Sequence, residues 1–308
     1  MVNIQTITAF LRLIRWQTLL FLMLAQFLVR YGLIAGVLPG GIHHLQMLQP
    51  EFLLLVFSTV ILAAAGFVIN DYFDVKNDMI KHPAKVVVDV KISRHTVIRI
   101  HTVFNIIGVL AGSIAAIIIG KPVYSLIFVI ISVLLFLYSA KLNRKVPWGG
   151  LLIALFPLIA VELVWLFEAN SIDISPVLKL EIARIVAFYG FVAFLSTLIL
   201  ELIKSFSEYT IHNANKHSFV HQIGKSKAEI LIFILMFLCA GLLISATPLL
   251  FFPDHKVTLS ILLLTLVVNA VAMYFFPKAI TSNNFSTVVV LIKTAMLIGV
   301  LSMLTIII

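Results

Sequence analysis

Apolar residues in this chain run in long unbroken stretches, neither alternating nor confined to one helical face. Nine stretches are long enough to cross a bilayer as a helix, which takes about 20 residues. They lie at roughly 18–38, 51–70, 98–120, 122–140, 148–168, 183–203, 229–250, 257–276 and 287–308. The breaks carry turn-forming residues, among them Pro39-Gly40-Gly41, Gly120-Lys121-Pro122, Pro147-Trp148-Gly149-Gly150, Pro253-Asp254 and Ser282-Asn283-Asn284. A transmembrane barrel needs period-two alternation, and none is present. The expected fold class is therefore all-α, a polytopic membrane protein organised as one domain over 1–308. The first span is too long for a cleavable signal and shows no small-residue cleavage site. Ahead of it, Ile4, Ile7, Phe10, Leu11 and Ile14 are apolar, with Arg12 and Arg15 opposite. That pattern predicts an amphipathic helix lying in the membrane interface.

Composition agrees. The 308 residues are 62% hydrophobic and 11% charged, against about 45–50% and about 25% in soluble domains. With 1 cysteine, disulfides and thiol metal sites are not indicated. A net charge of +9 acquires meaning from its distribution. Sixteen Lys and Arg fall on one side of the predicted spans and four on the other, the last being Lys121, Lys179, Arg184 and Lys256. The positive-inside rule then predicts a cytoplasmic N-terminus, an outside C-terminus and an inner-membrane location. The excess charge forms a cytoplasmic rim rather than a nucleic-acid surface, and no protein partner is indicated.

Two long loops fall on that basic side, about 28 residues after span 2 and about 25 after span 6, and long loops are often functional. Span 2 ends in Ile69-Asn70-Asp71-Tyr72-Phe73-Asp74-Val75-Lys76-Asn77-Asp78. On a helix, the i, i+3, i+7 spacing puts Asp71, Asp74 and Asp78 on one face with Asn70 beside them. Like charges so placed repel unless a cation lies between them. Carboxylate and amide oxygens suit a hard divalent ion such as Mg²⁺. The competing reading is a solvated helix end at the membrane surface. Yet four of the 13 acidic residues, Asp89 included, fall in this one region.

The Asn-Asp-x-x-Asp-x-x-x-Asp run at the end of the second of nine helices resembles the first aspartate-rich motif of the UbiA prenyltransferases. Lys81-His82-Pro83-Ala84-Lys85-Val86-Val87-Val88, with Ile92-Ser93, is similar to the basic segment that follows it in that family. Leu13-Ile14-Arg15-Trp16-Gln17 and Phe27-Leu28-Val29-Arg30-Tyr31-Gly32 resemble its first helix. The nearest likeness is to bacterial geranylgeranylglycerol-phosphate geranylgeranyltransferase-like members. The resemblance implies a helix bundle with a cavity facing the cytoplasm, in which Mg²⁺ and basic side chains hold a prenyl diphosphate. The prenyl group passes to a hydrophobic or amphiphilic acceptor, such as a lipid or quinone precursor. It implies catalytic roles for Asp71, Asp74 and Asp78, and metal binding by Asn70, Asp71 and Asp74. It further implies substrate contacts from Asn70, Lys85, Tyr138, Lys141, Arg144, Glu201, Lys204 and Glu208. Tyr138 fits an interfacial aromatic belt as well as a cavity wall.

The second motif departs from the family. There the pattern after helix 6 reads approximately Arg-Glu-x-x-Lys-Asp-x-Glu-Asp, followed by Gly-Asp and Thr-Leu-Pro. Here Glu201, Lys204 and Glu208 fit, but Ser205 and Ser207 stand where acids are expected, and Ser218-Phe219-Val220-His221 replaces the Thr-Leu-Pro. Fewer carboxylates leave fewer oxygen ligands for Mg²⁺. The loop instead carries His212, His217 and His221, which fit solvated or phosphate-contacting residues better than a transition-metal site. Thr18 replaces a usual asparagine, and Asp89 a usual glycine.

Ionisable residues inside spans are functional candidates by default. Glu162 in span 5 pairs with Arg30 of span 1 or lines a cavity; Lys293 is placed to snorkel. The expected activity is Mg²⁺-dependent prenyl transfer. The rivals are a catalytically impaired relative that binds prenyl diphosphate or lipid, and a small transporter or scaffold. A transporter would place paired acids near the bilayer midplane, whereas here they cluster at cytoplasmic ends.

Overall fold

The structure, a computed structural model, describes residues 4–81, 83, 86–142, 148–212, 219–245 and 256–306. Among the described residues the regular elements are helical, and nine helices are long and apolar enough to cross a membrane. The amphipathic start folds as α1 (Ile4–Leu13). The nine spanning helices are α2 (Trp16–Val37), α3 (Gln49–Lys81), α4 (Arg94–Ile118), α5 (Ser125–Ala140), α6 (Trp148–Ser171), α7 (Pro176–His212), α9 (Lys225–Ser245), α10 (Lys256–Ser282) and α11 (Ser286–Leu301). The short α8 (Phe219–Ile223) precedes α9. The spans lie where the apolar stretches predicted them.

The expected long loops are largely helix instead. At 33 residues, α3 extends about 50 Å at roughly 1.5 Å per residue, well beyond a hydrocarbon core of about 30 Å. The helix α7, at 37 residues, overshoots further. Apolar content ends at the bilayer boundary, but backbone hydrogen bonding does not need apolar side chains, so both helices continue as polar extensions.

Contacts divide the chain into two units, Met1–Gln26 with Gln46–Asn143, and Phe27–Leu45 with Arg144–Ile308. In the first unit, glycines let three helices approach closely. A Cβ on Gly66 of α3 would stand 2.8 Å from Leu135 Cδ2 of α5; one on Gly108 of α4, 2.7 Å from Leu62 Cγ of α3; and one on Gly112 of α4, 2.4 Å from the Phe128 ring of α5. The side chains of Ala9, Leu13, Val68, Val75, Val86, Val87, Val88, Ile92 and Val97 form one buried cluster. The valine run thus packs with α1 and the outer part of α3.

In the second unit the core is built on α7, α9, α10 and α11, with Phe206, Phe276 and Phe285 stacked edge-on or tilted at 5.6–6.4 Å. The outer part of α2 widens into a π-helical turn over Leu28–Ile34. Gly32 and Gly36 there lie against the backbone of Met303 and Ile306, in the 3-10 turn that follows α11 (Ser302–Ile306).

Candidate functional site

The first acidic motif occupies the extension of α3, on the helix itself rather than on a loop. Asn70, Asp71, Asp74 and Asp78 are all half-buried. Arg15 Nη2 donates to Asp71 Oδ1 at 3.0 Å, and its guanidinium lies 4.9 Å from the Phe67 ring centroid. Arg15 sits in the short break between α1 and α2 with φ of +52°, a left-handed conformation that costs roughly 1–2 kcal/mol in a non-glycine residue. Asn70 Nδ2 donates to Asp74 Oδ2 at 3.0 Å. Asn70 Oδ1 is buried and, among the described residues, accepts no hydrogen bond.

Behind the motif, Arg94 Nη2 donates to the Tyr72 carbonyl at 3.2 Å. Its guanidinium stands 4.9 Å over the Tyr72 ring, and Arg94 Nε pairs with Asp89 Oδ2 at 3.5 Å. Asp89 has φ of +64°, within a tight turn closed by Asp89 N donating to Ile92 O at 2.9 Å. The position needs a left-handed residue, and aspartate is among the side chains that tolerate it best. Asp89 directs its carboxylate to Arg94.

The end of α5 reaches the same motif. The rings of Phe73 and Phe136 meet at 6.0 Å, the close approach that Gly66 permits. Tyr138, half-buried, and Lys141, exposed just past the helix end, follow Phe136 within two turns. Lys85 and Arg144 lie outside the described residues.

In the second unit, Glu201, Lys204 and Glu208 lie on the extension of α7 with the same i, i+3, i+7 offsets as the three aspartates. Buried Leu202, Ile203 and Phe206 anchor this stretch, leaving Glu201 and Glu208 half-buried and Lys204 exposed, with Ser205 and Ser207 half-buried. His212 ends α7, and its side chain is outside the described part, as is His217 altogether; His221, on α8, is exposed.

Arg30 does not pair with Glu162. Its Nε holds Glu168 Oε2 at 3.0 Å, the two side chains 3% and 0% exposed, and its Nη1 donates to the Tyr31 hydroxyl at 2.9 Å. Glu162 and Glu168 are six residues apart on α6, so they project about 120° apart around the helix. Only Glu168 points to the π-helical turn that carries Arg30. Glu162 is half-buried beside Gly190, where an added Cβ would stand 3.3 Å from Glu162 Oε1.

No pattern in the sequence pairs Arg15 with Asp71, Arg94 with Tyr72 or Arg30 with Glu168. The one available signal was the likeness of the segments around Arg15 and Arg30 to a family first helix.

Among the described residues no three His, Cys, Asp or Glu side chains converge as a ready metal cage. The motif's donor set still fits Mg²⁺, which takes one or two carboxylates and completes its shell with water and substrate phosphate oxygens. The unpartnered Asn70 Oδ1 is an oxygen donor of the right kind.

Comparison with known proteins supplies the family. No curated protein matches the chain significantly. Among solved structures, one described as a digeranylgeranylglyceryl phosphate synthase in membranes matches with a TM-score of 0.68 at 19% identity, covering 99% of each chain. A UbiA homologue from Archaeoglobus fulgidus bound to GPP and Mg²⁺ matches at 0.62 and 13%, covering 97% of this chain and 99% of that one. The form bound to DMAPP and Mg²⁺ matches at 0.61 and 14%, covering 97% and 98%. At such identities the likeness is one of fold. The family model described as the UbiA prenyltransferase family spans residues 28–289, taking in both the α3 and α7 extensions, and this integral multi-pass membrane protein belongs to the UbiA prenyltransferase family.

Proposed function

We propose that the protein transfers a prenyl group from an isoprenoid diphosphate to a lipid or quinone-precursor acceptor, with Mg²⁺ as cofactor. The observation that carries this reading is the oxygen face of α3, where Asp71, Asp74 and Asp78 share one side and Asn70 Oδ1 is buried without a hydrogen-bond partner among the described residues. Asn70, Asp71 and Asp74 would hold the ion. Bound there, it supplies charge neutralisation of the departing diphosphate. Lys141, with Lys85 and Arg144, provides cationic donors for the diphosphate oxygens, and Tyr138 contacts the substrate. Glu201, Lys204 and Glu208 act on the second motif's side. The allylic C–O bond breaks with its electron pair leaving on the diphosphate, and an acceptor nucleophile takes the prenyl carbon. The basic rim supports a cytoplasmic N-terminus and an outside C-terminus.

A second reading, an impaired relative that binds prenyl diphosphate without efficient turnover, is favoured by Ser205 and Ser207. Both are neutral where the family carries acids.

The test is binding of labelled geranylgeranyl or farnesyl diphosphate to purified protein with Mg²⁺. Binding should be lost in Asp71→Ala and in Asp74→Ala, and unchanged binding in both variants would overturn the site. For turnover, lipid mass spectrometry of membranes with and without the protein identifies the prenylated product. A gain of transfer in Ser205→Asp with Ser207→Glu supports the second reading, and ordinary turnover by the wild type refutes it.

A further inference from the structure

Away from the acidic motif, a cavity of about 430 Å³ lies between α1 and the turn that leads into α4. Ile7 and Phe10 of α1 face Ile92 and Ile100 across it. Ile92 is buried and Phe10 and Ile100 are half-buried, whereas Lys91, Ser93 and Thr96, which also line the space, are exposed. The cavity therefore has an apolar floor and a polar rim.

The rim chemistry is specific. Lys91 forms no ion pair among the described residues, and the neighbouring carboxylate, Asp89, is engaged by Arg94. Ser93 caps α4 by accepting from Thr96 N at 3.3 Å, and the two hydroxyls share one hydrogen bond at 2.9 Å. That bond uses one of two O–H groups, so one donor remains to point outward. A cation and a hydroxyl donor beside an apolar cavity form a receptor for an amphiphile with an anionic head. The place agrees: α1 is amphipathic, the pattern of a helix lying where phospholipid phosphates meet acyl chains, and its Ile7 is 47% exposed. Free phosphate would use the rim and leave the apolar floor unfilled.

We infer that this cavity binds an anionic phospholipid, its acyl chain against Ile7, Phe10, Ile92 and Ile100 and its phosphate on Lys91 and the Ser93–Thr96 hydroxyl pair. The site does not depend on the prenyl diphosphate reading. Its occupant would brace α1, the helix after which Arg15 reaches Asp71.

The experiment is photo-cross-linking of the full chain in nanodiscs with phosphatidylglycerol carrying an acyl-chain diazirine. Label is expected on peptides containing Ile7–Phe10 and Ile92–Ile100. It should be displaced by unlabelled phosphatidylglycerol and not by equal phosphatidylcholine. Lys91→Glu, a surface change, should lower labelling roughly thirtyfold, the scale of a two-unit change of charge at an anionic surface. Ile100→Trp, which fills the floor, should abolish labelling while thermal stability shows the fold intact. Equal displacement by phosphatidylcholine, or insensitivity to Lys91→Glu, would overturn the proposal. Displacement by farnesyl diphosphate with Mg²⁺ would also overturn it, assigning the cavity to the prenyl substrate while leaving the prenyltransferase reading standing.

Discussion

Arg15 holds Asp71 through a 3.0 Å ion pair, so a cation of the chain itself occupies the first carboxylate of the motif proposed to bind metal. Arg15 is 46% exposed and Asp71 22%, which keeps the pair in the weak range of roughly 0.2–1 kcal/mol. Removing the competitor should therefore help a metal ion modestly. In Arg15→Ala, Mn²⁺ titrated without diphosphate and read by electron paramagnetic resonance should bind roughly two- to fivefold more tightly. Arg15→Lys should stay near wild type. Unchanged affinity in Arg15→Ala would place the ion away from Asp71.

The Arg30–Glu168 pair is the opposite case, buried within the second unit. Breaking a buried pair leaves an uncompensated charge and costs about 3–5 kcal/mol. Glu168→Gln and Arg30→Leu should each lower the thermal midpoint in detergent sharply. The double change Arg30→Met with Glu168→Leu should recover most of the loss, because it removes both desolvated charges together. If the double variant is as unstable as the singles, the pair does more than neutralise itself.

At Asp89 the backbone decides. Asp89→Gly accepts φ of +64° without strain and should fold close to wild type, losing only the half-exposed contact with Arg94. Asp89→Val forces a β-branched side chain into the left-handed region and should cost about 1–2 kcal/mol. Thermal unfolding of the two variants ranks them, and equal stability would contradict the turn geometry.

Glycines separate in the same way by what surrounds them. A Cβ on Gly112 would meet the Phe128 ring at 2.4 Å, and Phe128 is fully buried, so Gly112→Ala should destabilise by about 1–3 kcal/mol through overpacking. Gly241, on α9, has nothing within 4 Å of the same position. Gly241→Ala should be neutral or stabilising by up to about 1 kcal/mol through helix propensity. Phe128→Leu combined with Gly112→Ala should recover part of the loss.

Much of this protein was legible as pattern. Nine apolar stretches became nine spanning helices among the described residues, because a bilayer demands length and hydrophobicity and both are local properties of the chain. The oxygen face of α3 was legible for a similar reason, since a 3.6-residue period converts i, i+3, i+7 into one side of a helix. The family followed from those residues. The lengths of the polar extensions did not follow, because hydropathy reports where lipid ends and not where helix ends.

Which charges neutralise one another was left to the tertiary structure. Arg15 and Asp71 are 56 positions apart, and Arg30 and Glu168 are 138 apart. Depth in the sequence pointed to Glu162 for Arg30, whereas the partner is Glu168. The choice depends on the direction in which each side chain leaves its helix, set by a π-helical turn on one side and about 120° of rotation on the other. Pairing across such distances is a property of packing, and only folded helices at their final rotations decide it.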